Sequence, residues 1–157
     1  MPAAPNMRES GAMPSDDDLA GALRQLAARA YAPYSNFHVA ALALDGDGAV
    51  IASGVNVENA SYGLSLCAET VALAAAATAG RLAEVRRIAI IGGRMDGGQL
   101  AGQEPVLPCG RCRQIINESA ALQGRDIAIL AFSGDGLSRR ITSIAALLPD
   151  AFGPESL

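Results

Sequence analysis

The chain has 157 residues, half of them hydrophobic and 18% charged, and carries a formal charge of −4 at pH 7. That length supports one domain with a proper core and is short for two. The acidic balance leaves no basic field to hold a polyanion, since Lys and Arg contacts to phosphate supply most nucleic-acid affinity; nucleic acid is excluded as a partner and a small, nearly neutral molecule is favoured.

Residues 1–14, MPAAPNMRESGAMP, mix Pro, Gly, Ala and Met without period and read as a disordered leader before a domain over residues 15–157. Ser15 with Asp16, Asp17 and Asp18 offers an N-cap and a negative first turn. Leu19, Leu23, Leu26, Ala27 and Ala30 then recur at helical spacing, and this first helix ends before Pro33. NFHVAALALDGDGAVIASGVNVENA predicts two strands around the DGDG turn. SLCAETVALAAAATAG predicts a second helix, apolar nearly all round and therefore buried, closed by Gly80. RRIAIIGG is a short buried strand, followed by a Gly-rich loop to Gln103. A third helix runs from about Arg111 to Leu122, DIAILAF is another buried strand, and ITSIAALLPDAF is a last helix broken at Pro149. This order predicts an α/β fold, a mixed sheet sandwiched by helices, with no internal repeat.

No early segment joins a basic start to an apolar run and a cleavage site, and VALAAAATA falls short of the roughly 20 residues a membrane helix needs, so the expected location is cytoplasmic. A mean hydropathy of +0.24 is apolar for a small soluble chain and points to surface buried between subunits.

Three cysteines in a chain of this kind read as reduced thiols for metal or catalysis rather than disulfides. Cys67 opens the second helix, Cys109 opens the third, and Cys112 follows one turn later on the same face, so all three can converge. A helix N-terminus favours a thiolate. Three thiolates on zinc with the fourth position open is the pattern of a catalytic site. His38, the single histidine, lies in a strand out of phase with Phe37 and Val39 and is expected to face away from the metal. Glu69, two residues after Cys67, stands close enough to move protons beside the ion without binding it. A lone CxxC is more often a structural knuckle or redox pair; the third thiol with its adjacent acid overturns that reading here.

CAE followed downstream by PCGRCRQ, together with AYAPYSNFHVAAL, GVNVENASYGLSLCAE and LLPDAF, resembles the small zinc-dependent cytidine deaminases of the homotetrameric type, from about Tyr31 to Phe152. The resemblance implies a three-layer α/β/α sandwich with a mixed sheet of about five strands. It implies one Zn2+ per subunit on Cys67, Cys109 and Cys112. Zinc-bound hydroxide would attack C4 of cytidine or 2'-deoxycytidine, and Glu69 would carry the proton to the ring nitrogen and then to the departing amine, a step of pyrimidine salvage. Asn56 and Glu58 match positions that hold the sugar hydroxyls, Phe37 an aromatic near the base, and the Ala68 amide a donor to a base oxygen. Ala60, Tyr62 and Phe152 match residues sent into a neighbouring subunit's site, implying a homotetramer with shared sites. Taken alone, Asn56 would be a strand-end turn residue, Glu58 a solvated charge and Phe152 plain packing.

Two positions depart from the family, Thr70 and Arg111, the latter where an alanine is common. Thr70 stands where these enzymes often carry an Arg that donates to the thiolates; Arg111, between the two later cysteines, is the candidate to offset their charge, with Arg113 and helix amides behind it. An uncharged residue after CAE together with CGRCRQ also resembles the blasticidin S deaminases, which act on a cytosine in a bulkier nucleoside antibiotic; YAPYSNF and NVENASYG favour cytidine. A zinc-stabilised scaffold without turnover has no need of Glu69, and a redox CxxC protein has no need of Cys67.

Overall fold

The structure, a computed structural model, describes residues 13–157, so the expected leader lies outside the described residues except for Met13 and Pro14. The first helix, α1 (Asp16–Ala27), begins with a reciprocal cap: the Ser15 hydroxyl accepts from the Asp18 amide at 3.2 Å and the Asp18 carboxylate accepts from the Ser15 amide at 3.0 Å. Its buried face is Leu19, Ala20, Leu23 and Ala27, which holds three of the residues the spacing predicts, while Leu26 and Ala30 are half-buried. Fully burying each leucine contributes about 1.5–3 kcal/mol, enough to seat a helix whose other faces are polar.

The strands are β1 (Phe37–Leu44), β2 (Val50–Val55), β3 (Arg87–Asp96), β4 (Gln99–Ala101), β5 (Ala128–Phe132) and β6 (Arg139–Ser143), and the remaining helices are α2 (Ala68–Thr78), α3 (Gly110–Gln123) and the short α4 (Ile144–Leu147). They form one mixed sheet in the order β2-β1-β3-β5-β6, with β4 paired to β3 alone; β3 and β5 are parallel and the other pairs antiparallel. Alternate residues of the central strands serve opposite faces. Ala40, Leu42, Leu44, Ala89, Ile91, Leu130 and Phe132 pack under α1, while Ala41, Ala43, Ile88, Ile90 and Ile129 pack against α2 and α3. A sheet buried on both sides explains the unbroken apolar runs. The result is the expected three-layer α/β/α sandwich. No helix among the described residues is long and apolar enough to cross a membrane.

Two expectations are corrected. The Gly-rich loop after RRIAIIGG is a hairpin: β3 continues to Asp96, and Gly97 and Gly98, at φ +53° and +79°, turn the chain into β4. Consecutive left-handed residues are what a two-residue hairpin turn requires. The last helix is also shorter than ITSIAALLPDAF, because Ile141, Thr142 and Ser143 pair with Leu130, Ile129 and Ala128 as edge strand β6, leaving four residues in α4. β-branched residues suit that edge, and Ser143 then caps α4 through the Ala146 amide at 3.4 Å. The sheet therefore has six strands rather than about five.

Helix α2 lies unusually close to β2. Ala68, Ala72 and Ala76 form its buried stripe, and a Cβ on Gly54 of β2 would collide with the Ala68 carbonyl and sit 2.5 Å from the Ala72 nitrogen. Gly54→Ala is expected to cost about 1–3 kcal/mol by overpacking and to shift the start of α2. Urea denaturation reads the loss; an unchanged midpoint would show that the helix simply moves away.

Candidate active site

Two helix N-termini meet at the site. Cys67 is the N-cap of α2 and Cys109 the N-cap of α3, both with extended backbone, and Cys112 sits one turn into α3, buried. The three sulfurs lie within 4.8 Å of one another, with Cys67 and Cys109 Sγ 3.9 Å apart. Zn–S bonds of about 2.3 Å at the tetrahedral angle place two sulfurs about 3.8 Å apart. Spacing and the soft donor set both fit zinc, and no fourth sulfur or histidine joins the group among the described residues.

The thiols are not equivalent. Burial pushes Cys67 and Cys112 above the usual thiol range, and the Glu69 carboxylate adds to the effect at Cys112. Burial also pushes Cys109 up, but the Cys112 and Arg111 amides and the neighbouring thiols outweigh it, and its pKa falls below the ordinary value. Those amides are the unpaired donors of the α3 N-terminus, as the placement of a thiol there implies. Arg111 donates through Nη1 to the Ser65 carbonyl at 3.3 Å, and Arg113 donates to the Pro108 and Leu147 carbonyls at 2.8 and 3.0 Å. Both arginines thus take backbone partners. The side chain facing a sulfur is Thr70, whose Oγ1 lies 3.7 Å from Cys112 Sγ. With Cys112 ionised, only the hydroxyl can donate.

Glu69, in the first turn of α2, is 5% exposed, and burial holds its carboxyl above the usual range. With Cys67, Ala68 and Cys109 it lines a cavity of about 460 Å³. Asn56, Glu58 and Tyr62 line the same cavity. Asn56 accepts from the Val39 amide at 2.8 Å and donates to the Phe37 carbonyl at 2.9 Å, extending the β1–β2 ladder by one side chain. The Ser35 hydroxyl, joined by the Tyr34 and Ser35 amides, holds the Glu58 carboxyl below its usual range against the opposing effect of burial. His38 turns to the other side, its Nδ1 3.1 Å from the Ala27 carbonyl of α1.

Phe37, expected near the base, is not on this wall, and neither are Ala60 and Phe152, which the resemblance assigns to a neighbouring subunit's site. Phe37 packs beside Val106 over Gly92, one shell behind it. Ala60 is exposed, and Phe152 is 60% exposed, its carbonyl accepting from Gln114 at 2.9 Å. Tyr62 reaches the cavity yet is 77% exposed and meets Tyr34 edge to face, with centroids 6.2 Å apart. Sequence reasoning did not single out Tyr34, Ser35, Val106 or Leu107, which also line the cavity. The segments YAPYSNF and VLPCG mark them only by proximity to the cysteines and strands.

Residues 13–123, containing the three thiols and Glu69, match the cytidine and deoxycytidylate deaminase zinc-binding region. The chain belongs to the cytidine and deoxycytidylate deaminase family. Among relatives of this deaminase-family chain, the cytidine deaminase of Mycobacterium tuberculosis is 41% identical over 141 residues, covering 88% of this chain and 90% of the relative. That of Halalkalibacterium halodurans is 41% identical over 128 residues, covering 82% and 86%. The crystal structure of cytidine deaminase from Burkholderia pseudomallei superposes with a TM-score of 0.68 at 43% identity, covering 86% and 94% of the two chains. The deaminase family's zinc and the Cys67, Cys109 and Cys112 cluster agree on the metal.

Proposed function

We propose that this chain hydrolyses cytidine and 2'-deoxycytidine to uridine and 2'-deoxyuridine with release of ammonia, and that residues 15–157 are the catalytic unit. One observation carries the reading: a buried carboxylate, Glu69, shares the wall of a nucleoside-sized cavity with Cys67 and Cys109 of the three-thiol cluster. Zinc held by Cys67, Cys109 and Cys112 would supply an acidified water molecule. The protein's own residues do the rest. Glu69 accepts a proton from that water, passes it to the ring nitrogen, and returns one to the departing amine, so that cytidine plus water balances to uridine plus ammonia. The Ala68 amide, at the positive end of α2, faces a base oxygen. Phe37 backs the base, and Asn56 and Glu58 hold sugar hydroxyls. Amides on Cys109 and the Thr70 hydroxyl on Cys112 offset the negative charge of three thiolates, with Arg111 steadying Ser65 on the cavity wall.

The exposed aromatic and aliphatic side chains Tyr31, Tyr34, Tyr62, Leu64 and Phe152 support a homotetramer in which Ala60, Tyr62 and Phe152 reach a neighbouring subunit's site. Light scattering is expected to give four times the chain mass; a monomer would remove these residues from the site. The function itself is tested by ammonia release from cytidine, 2'-deoxycytidine, cytosine and blasticidin S with zinc-loaded protein. Turnover of the two nucleosides well above the free base is expected. Turnover of blasticidin S alone would reassign the substrate, and ammonia from none of them would end the reading.

A further inference from the structure

We propose that Ser35 is a positioning residue that fixes the Glu58 carboxylate and thereby sets the requirement for a single sugar hydroxyl; this rests on the cytosine-nucleoside reading above. Glu58 is held at both ends. Its amide donates to the Tyr31 carbonyl at 2.8 Å, and its carboxylate is gripped by the turn that follows. Oε2 accepts from the Tyr34 and Ser35 amides at 2.9 and 3.2 Å, while Oε1 accepts from the Ser35 hydroxyl. Ser35 Oγ in turn accepts from the Phe37 amide at 3.0 Å, so its proton is committed to Glu58.

The turn is itself locked. The Asn36 amide donates to the Ala32 carbonyl at 3.0 Å. Asn36 adopts a φ of +54°, held by its side-chain donation to the Met95 carbonyl at 2.9 Å and by the return bond from the Met95 amide at 3.2 Å. Asparagine tolerates this conformation better than other side chains with a Cβ. The donors are therefore in place before any ligand arrives, and the cavity is presented with an oriented anion.

A carboxylate offers about four acceptor positions. Two on Oε2 and one on Oε1 are filled from within the chain. The one left, on Oε1, suits one hydroxyl donor. Such an arrangement binds ribose and deoxyribose alike provided one hydroxyl reaches it, repels a phosphate at that point, and gives a sugar with neither hydroxyl nothing to bind. Without Ser35 the carboxylate keeps its amides but is free to turn about them.

The test compares wild type and Ser35→Ala on cytidine, 2'-deoxycytidine and 2',3'-dideoxycytidine. In the variant, KM for the first two is expected to rise roughly tenfold or more, the loss of a hydrogen bond to a charged group, with kcat falling less than KM rises. KM for the dideoxynucleoside, already high, should change little. Ser35→Thr is expected to restore the wild-type pattern, and Ser35→Ala should add nothing in a Glu58→Ala background. Losses of equal size on all three nucleosides, or full additivity with Glu58→Ala, would overturn the proposal while leaving the function intact. Wild-type protein that leaves cytidine and 2'-deoxycytidine untouched would overturn the nucleoside reading and the proposal together.

Discussion

Glu69→Gln is expected to lower kcat for cytidine by at least about 10²-fold, the usual contribution of a positioned acid and base, while zinc content and fold stay as in the wild type. The amide keeps the shape of the carboxyl but takes up no proton. Because Glu69 is 5% exposed and belongs to the first turn of a helix that packs through Ala68, Ala72 and Leu73, the substitution disturbs little around it. In the proposed mechanism the thiols hold the ion without help from this residue, whose role there is confined to proton movement. Ammonia release and elemental analysis on the same sample separate the two effects. A variant turning over at the wild-type rate would remove Glu69 from the chemistry; one that lost zinc in proportion to rate would make it a support of the metal instead.

Cys112→Ala is expected to abolish both zinc retention and turnover. Cys112 is fully buried between α2 and α3, whereas Cys67 and Cys109 sit at helix ends that solvent reaches. Two thiols at helix ends make a poor zinc site, and the alanine also leaves the Thr70 hydroxyl without its partner. Chelation of the wild-type protein gives the companion measurement. Zinc at about a thousandfold above its Kd contributes about 4 kcal/mol to stability, so stripping it is expected to lower Tm by about 10 °C for a domain of this size. Added zinc should restore Tm and turnover in the wild type and neither in Cys112→Ala. A variant that kept its metal would mean that the two outer thiols suffice.

Much of this was legible in the sequence because the informative signals are local. The Ser15 cap, the strands flanking DGDG, the continuous apolar run of RRIAIIGG, and the thiols at the starts of two helices follow from spacing and propensity alone. What escaped depends on partners distant in sequence. The hairpin at Gly97 and Gly98 hides in a Gly-rich stretch where only three residues on each side pair, and β6 is defined by its pairing with β5 rather than by its own pattern. The same holds at the site. The sequence predicts that donors must offset three thiolates, but whether Arg111 or Thr70 faces a sulfur is decided by how α3 packs against α2. Ser35 belongs to a turn that looks like ordinary loop chemistry until Glu58, 23 residues away, is seen to rest on its hydroxyl.

The most direct test of the account is product analysis after cytidine is incubated with the zinc-loaded protein in water enriched in oxygen-18. The account predicts uridine carrying one heavy oxygen at C4 and one ammonia released per uridine formed, with neither product from metal-stripped protein. Unchanged cytidine in the presence of a fully zinc-loaded chain, or uridine without the heavy oxygen, would contradict hydrolytic deamination at this site.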